Sequence, residues 1–206
     1  MTKNKSSKVI FVDVDGPMIP FRAYYLPNQT KIVSLFDPCA VSLLNKLTDD
    51  SGATIVISST WQSHGYQGCK ELFETNGIKG MFHEDWNTER KLSSSRTQEI
   101  SWWLNDHPEI THYVALDDEL LDCKVLPGFV QCDSDEGFSF RNFLEAKQLL
   151  DIIDERELDK LLFLRRKEIW RTQRHGDLNE HLTWMFADQL FPISNDNRIH
   201  MNRGKY

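Results

Sequence analysis

The chain has 206 residues, 40% of them apolar and 27% charged, with a net charge of −7. That balance fits a soluble globular protein of one ordinary domain, or one domain with an appendage, long enough to bury a sizeable core. No apolar run approaches the ~20 residues needed to span a bilayer, so no membrane role is expected, and the polar start MTKNKSSK reads as a frayed tail and not a secretory signal. The excess of acid lies in residues 1–150, with 21 acids against 14 Lys or Arg, while residues 151–206 hold ten of each. An acidic body argues against long non-specific nucleic-acid tracks but leaves room for a local phosphate site, particularly beside a metal. Cys39, Cys69, Cys123 and Cys132 form no C-x-x-C pair and the His residues no H-E-x-x-H. Four reduced thiols in a cytoplasmic protein are expected instead.

In chain order, residues 8–14 are apolar and β-branched and run into Asp13-x-Asp15-Gly16, the pattern of a buried strand ending in a turn. Residues 17–36 are irregular, with Pro17, Pro20 and Pro27 around the aromatic cluster Phe21, Tyr24 and Tyr25. Residues 38–48 set Val41, Leu44 and Leu47 at helical spacing behind Pro38, which suits a first turn. A second strand, Thr54 to Ile57, ends in Ser58-Ser59-Thr60, and residues 67–76 look helical. SSSRTQEISWWLND opens on Ser caps and carries Ile100, Trp103 and Leu104 on one face. HYVALDDE is a third strand ending in Asp117 and Asp118, and GFVQCDS a fourth, shorter one. Such alternation predicts a parallel sheet with right-handed crossovers, whose ligands sit at the carboxyl ends of the strands. From about Phe140 the strand signal stops. Phe143, Ala146, Leu150 and Ile153 make one helical stripe, and Leu158, Leu161 and Leu162 a second that extends through Ile169, as in a helix or helix pair packed on the domain. The basic run Leu164 to His175 is either a solvated helix face or an attractor for a phosphate-rich substrate, with Trp170 then stacking on a base.

Two carboxylates two residues apart at a strand end point to the same side, because the side-chain period is 2. If the strands are neighbours, Asp13, Asp15, Asp117 and Asp118 share one rim with Ser58 and Ser59. Carboxylates cannot all be ionised at close range without a cation. Mg²⁺, which favours carboxylates, carbonyls and waters, resolves the conflict and usually meets phosphate. Phosphoryl transfer then needs donors and positive groups around the transferring oxygens: Ser58 and the backbone N–H groups after it, and Arg96, Lys91 or Arg90. One Asp can attack phosphorus, and the second can protonate the leaving oxygen and then activate water.

VDVDG, IVISS and YVALDDE, in that order and each at the end of an apolar strand, resemble the motifs of the haloacid dehalogenase (HAD) superfamily. The combination IVISSTW, RTQEISWWL and YVALDD also resembles a smaller HAD subgroup associated with nucleic-acid repair proteins. The resemblance covers about residues 8–145 and implies an α/β, Rossmann-like parallel sheet of the HAD type. By this resemblance Asp13 is nucleophile and metal ligand, and Asp15 is acid/base with its backbone carbonyl on the metal. Asp118 is a further ligand helped by Asp117, and Ser58 a phosphoryl donor. Arg96 fits the family's phosphate-binding Lys best, with Lys91 next, and Gly16-Pro17 departs from the family's usual sequence. Receiver domains place the acidic pair on the first strand, the reverse of the order here. The 45 positions from Asp13 to Ser58 and 38 from Ser58 to Arg96 leave no room for a large cap. The expected organisation is a flexible start (1–7), a HAD-like catalytic domain (8–145), a helical extension (146–190) and a polar tail (191–206). The expected activity is a Mg²⁺-dependent phosphatase using an aspartyl-phosphate on a nucleotide or nucleic-acid end. The alternatives are a small phosphorylated metabolite as substrate, or a non-catalytic binding module. Phe21, Tyr24, Tyr25 and Trp61 either pack or stack on a base.

Overall fold

A computed structural model of the chain describes residues 7–25, 36–89, 93–119, 123 and 125–173, with side chains through residue 169. Residues 1–6, Arg90, Lys91, the Trp170 side chain and the stretch 174–206, which includes the expected tail at 191–206, lie outside the described residues. Among the described residues, five strands form one sheet: β1 (Lys8–Val12), β2 (Thr54–Ile57), β3 (Phe82–Asn87), β4 (His112–Asp117) and β5 (Phe129–Gln131). Their order is β3-β2-β1-β4-β5, and every pairing is parallel.

The central strand β1 buries Val9 through Val12 completely. A strand covered on both faces carries Val, Ile and Phe at successive positions instead of alternating with polar residues. Register then sets the site. Val12 lies beside Ile57 of β2 and Leu116 of β4, so the next residues, Asp13, Ser58 and Asp117, emerge side by side at the carboxyl edge. Two backbone bonds carry the ladder past the strands: Asp13 N–H donates to the Leu116 carbonyl (2.9 Å) and Ser58 N–H to that of Val12 (3.0 Å).

The helices set out in full among the described residues are α1 (Pro38–Ser51), α2 (Gly65–Thr75), α3 (Arg96–Asp106), α4 (Phe140–Leu149) and α5 (Glu155–Gln173). Asp37 caps α1 by accepting from the Cys39 and Ala40 N–H groups, and Pro38 opens its first turn. A Ser95–Gln98 capping box starts α3. Ile100 and Trp103 of α3 then pack on Val9, Phe11, Val56 and Ala115 of the sheet, with Phe11 and Trp103 edge to face at 5.2 Å. Burying each of the larger of these side chains, such as Val9, Phe11 and Ile100, contributes roughly 1.5–3 kcal/mol. That packing fixes α3 over the sheet and brings its first residue, Arg96, to the carboxyl edge.

The strands expected at the D-x-D, Ser58 and Asp117 motifs and after Gly128 are all present. The sequence pattern gives no sign of β3, FHEDWN. This strand lies at the sheet edge, pairs with β2 alone and shifts register between Ile55 and Ile57. Glu84 and Asp85 face solvent, and an edge strand needs no continuous apolar run. The irregular segment after β1 is stitched to the loop after β5. Phe138 N–H donates to the Pro17 carbonyl (2.8 Å) and Phe21 N–H to that of Ser134 (2.8 Å), while Phe21–Tyr25 forms a 3-10 turn.

The chain divides into two compact units, Met1–Leu158 and Asp159–Tyr206. In the first, α4 crosses residue 145 without a break and buries Phe143, Leu144, Ala146 and Leu150. In the second, α5 is described through Gln173. Among the described residues, no helix is long and apolar enough to cross a membrane.

Candidate active site

Register supplies Asp13, Ser58 and Asp117, and the turn after each strand adds a second polar residue: Asp15, Ser59 and Asp118. The turn after β1 doubles back, with the Val14 carbonyl accepting from both Met18 N–H (3.0 Å) and Ile19 N–H (2.9 Å). Gly16 makes this possible at φ 79°, a left-handed conformation that a side chain opposes. A Cβ on Gly16 would also overlap the Asp118 carboxyl group. The missing side chain is thus the space that Asp118 occupies. Carboxylate oxygens of Asp13, Asp117 and Asp118 lie within 4.8 Å of one another.

The two serines differ. Ser58 is buried and its Oγ has no hydrogen-bond partner among the described residues, an unusual state for a buried hydroxyl. Ser59 caps the 3-10 turn Thr60–His64, its Oγ accepting from Trp61 N–H (3.4 Å) and Val14 N–H (3.4 Å). It also hydrogen-bonds the Asp13 carboxyl. The Asp15 side chain is exposed and stands outside the carboxylate group. Its Oδ2 accepts from the Trp61 indole N–H at 2.9 Å.

Arg96 reaches into the acids from the start of α3. Its guanidinium lies 3.9 Å from Asp13 Oδ1, 3.4 Å from Asp117 Oδ2 and 3.5 Å from Glu99 Oε2. Glu99 is buried one turn along α3 and is held in turn by Ser94 Oγ (2.7 Å) and Thr88 Oγ1 (3.5 Å). Sequence reasoning reached Arg96 but missed Glu99. The signal was the i, i+3 spacing on a helix first turn, which normally marks a surface pair. Burial first, and then the Asp117 carboxylate, push the Asp13 carboxyl up to about 7, against the pull of Arg96, the Ser59 hydroxyl and the Val14 N–H. Burial likewise holds Asp117 above the ordinary carboxylate range, with the Glu119 N–H and Arg96 pulling the other way.

This donor set fits a hard divalent cation. Three carboxylates converge, all oxygen donors, and one guanidinium cannot balance four acids when Glu99 is counted. A second group, His83, His107 and Glu109, also brings ligand atoms within 4.8 Å. There, however, His83 Nδ1 accepts from Asp85 N–H (3.1 Å), and the two nitrogens of His107 engage the Trp103 carbonyl (2.6 Å) and Asp85 Oδ2 (2.8 Å). The His107 ring also stacks on Trp103 at 3.7 Å. His107 is thus committed through both ring nitrogens to holding the β3 edge on α3, and His83 engages β3 itself through Nδ1.

A five-stranded parallel sheet in the order 3-2-1-4-5, with an Asp-x-Asp at the end of the central strand, a serine on one neighbour and an acidic pair on the other, defines a HAD-type protein. The family model described as the HAD domain in Swiss Army Knife RNA repair proteins matches residues 9–143, and the chain belongs to that family. No curated protein and no solved structure matches the chain. The expected HAD resemblance, with its repair association, is thereby borne out, and membership places the chain with HAD-type phosphatases in general.

Proposed function

We propose that this protein is a Mg²⁺-dependent phosphomonoesterase that acts through an aspartyl-phosphate on the phosphate of a nucleotide or a nucleic-acid end. One observation carries the chemistry: Asp13, Asp117 and Asp118, far apart along the chain, bring carboxylate oxygens within 4.8 Å of one another, with Arg96 against two of them. Asp13, Asp117 and Asp118, with the backbone carbonyl of Asp15, would hold the ion, which when bound neutralises these acids and the phosphoryl oxygens. Asp13 attacks phosphorus as the bond to the leaving oxygen breaks, and Asp15 gives that oxygen a proton. Water then attacks the phosphoryl group and returns a proton to Asp15, and the bond to Asp13 breaks to release phosphate. Ser58 Oγ, Ser59 and the Arg96 fork serve the phosphoryl oxygens, and Lys91 is the alternative cation.

The substrate reading rests on the family's description as RNA repair proteins and on the short connections around the site. Phe21, Tyr24 and Tyr25, all more than half exposed on the turn that follows Asp15, offer rings on which a base stacks. We assign catalysis to residues 8–145, with 146–190 as a helical extension. Four free thiols suit a cytoplasmic setting. The test is release of inorganic phosphate from phosphorylated oligonucleotides, nucleoside monophosphates and sugar phosphates, with Mg²⁺ and with EDTA, for wild type and Asp13→Asn. Release from the nucleotide substrates that requires Mg²⁺ and vanishes in Asp13→Asn supports the proposal. Release from sugar phosphates alone overturns its substrate half, and metal-independent release overturns its chemistry.

A further inference from the structure

We infer that Trp61 is a positioning residue that holds the Asp15 carboxyl group in one orientation at the edge of the site. This rests on the reading of Asp15 as the acid/base given above. Asp15 is exposed, and an exposed carboxylate samples several rotamers and presents either oxygen. Here the Trp61 indole N–H donates to Oδ2 at 2.9 Å. An indole N–H can only donate. The indole therefore engages Oδ2 and leaves Oδ1 as the oxygen available to the leaving group and to water.

Trp61 suits this task because its own placement comes from the protein. Its N–H binds Ser59 Oγ (3.4 Å), its carbonyl accepts from the Cys69 thiol (3.3 Å) and faces His64 Nδ1 (2.9 Å), and its ring stacks on that of His64 at 5.3 Å and 29°. The same Ser59 hydroxyl meets Asp13. One short turn, Ser59 to Trp61, thus meets Asp13 through Ser59 and Asp15 through Trp61. A misplacement of about 1 Å between reacting groups can cost on the order of 10²-fold in rate.

Acid catalysis matters most when the leaving group is poor, so the test varies the leaving group. Wild type and Trp61→Phe are compared on three esters: a nucleoside monophosphate, a base-free alkyl phosphate and p-nitrophenyl phosphate, whose leaving group needs little protonation. The expected loss in kcat/KM, which reports the step in which the leaving group departs, is roughly 10²-fold on both alkyl esters and at least about tenfold smaller on the aryl ester. In a second readout, the indole N–H resonance of Trp61, identified by its disappearance in Trp61→Phe, shifts and exchanges faster in Asp15→Ala. An equal loss on all three esters overturns the positioning role, and so does a resonance unmoved by Asp15→Ala. A loss confined to the ester with a nucleobase overturns it in favour of base stacking. A wild type that hydrolyses none of the esters overturns the proposed function and this role together, whereas an active wild type whose loss in Trp61→Phe does not depend on the leaving group overturns this role alone.

Discussion

Gly16 offers a perturbation with two separable costs. Its φ of 79° is left-handed, and a non-glycine residue held there loses about 1–2 kcal/mol. A second cost is steric, because a Cβ would fall within the Asp118 carboxyl group. Asp118 is only half-buried, so its side chain can swing away from the added methyl, and the overlap is then relieved at the expense of the carboxylate group. Gly16→Ala is thus expected to lower stability by about 1–2 kcal/mol, or roughly 2–8 °C in Tm for a chain of this size. Its Mg²⁺ affinity should weaken by about 10–100-fold, as when a metal ligand loses its support. Gly52→Ala is the matched control. Gly52 ends α1 at φ 66° with open space around its Cβ position, so it should show the stability loss with unchanged Mg²⁺ affinity. Urea denaturation and calorimetric Mg²⁺ titration of both variants separate the two costs. Gly16→Ala binding Mg²⁺ as tightly as wild type would refute the reasoning that its hydrogen atom makes room for a ligand.

Other variants address the charge and the packing around the site. Arg96→Lys keeps one positive charge but loses the fork that spans Asp13 and Asp117, so KM for a phosphate ester should rise at least about tenfold, or 1.4 kcal/mol, with the fold intact by circular dichroism. Phe11→Ala empties the centre of the sheet against Trp103 and should cost about 3–5 kcal/mol in urea unfolding. Lys147 ties Glu157 (2.6 Å) to Asp50 (3.4 Å), and Lys147→Met should cost about 1–2 kcal/mol at neutral pH. Burial alone would push Asp50 up, but hydrogen bonds from Lys46 and Lys147 outweigh it and hold Asp50 below 3.8; burial opposes the charge on Lys147 too, yet Glu157 and Asp50 raise it above 10.5. The Asp50 contribution is therefore present above pH 3.8 and lost as pH falls through its lowered value, while that of Lys147 is present below pH 10.5 and lost as pH rises through its raised value. The gap between wild type and Lys147→Met should stay level between these limits and shrink outside them, as urea midpoints across pH would reveal.

How legible each part was follows from how it is buried. β1, β2 and β4 are covered on both faces, and so their apolar runs stand out in the sequence. Their polar ends stand out for the same reason, and register did the rest by aligning Val12 with Ile57 and Leu116. β3 stayed hidden because its edge position asks little of its side chains. Much of it is held by contacts from elsewhere, such as the Trp103 indole donating to the Asp85 carbonyl (3.1 Å). Glu99 was equally invisible, since a Glu in a helix first turn normally faces water. Only the three-dimensional placement of Thr88 and Ser94 makes it a buried brace for Arg96. Trp61 was noticed for its ring, as packing or a stacking surface, whereas its contact with Asp15 runs through the indole nitrogen and depends on the turn that Ser59 caps.

The D-x-D pair shows how environment gives two identical side chains different work. Strand alternation alone would place Asp13 and Asp15 on the same side, but β1 ends at Val12 and the turn that follows leaves only Asp13 among the converging carboxylates. Asp13 is enclosed, flanked by Asp117 and Arg96 and bonded by Ser59, and burial raises its carboxyl to about 7. A cation beside it would favour the ionised form that attacks phosphorus. Asp15 lies within the turn that Gly16 permits, exposed and tied to one neutral donor, where a carboxyl can meet a leaving group and water. On the proposed chemistry a nucleophile must stay ionised beside the phosphoryl group, and an acid must be able to change protonation state during turnover. Exchanging the two surroundings would defeat both tasks. Asp15→Asn should therefore remove turnover while leaving Mg²⁺ binding close to that of wild type, whereas Asp13→Asn should damage both. Calorimetric Mg²⁺ titration of the pair measures that difference directly, and equal damage to Mg²⁺ binding in both variants would show that the two carboxylates do not divide the work in this way.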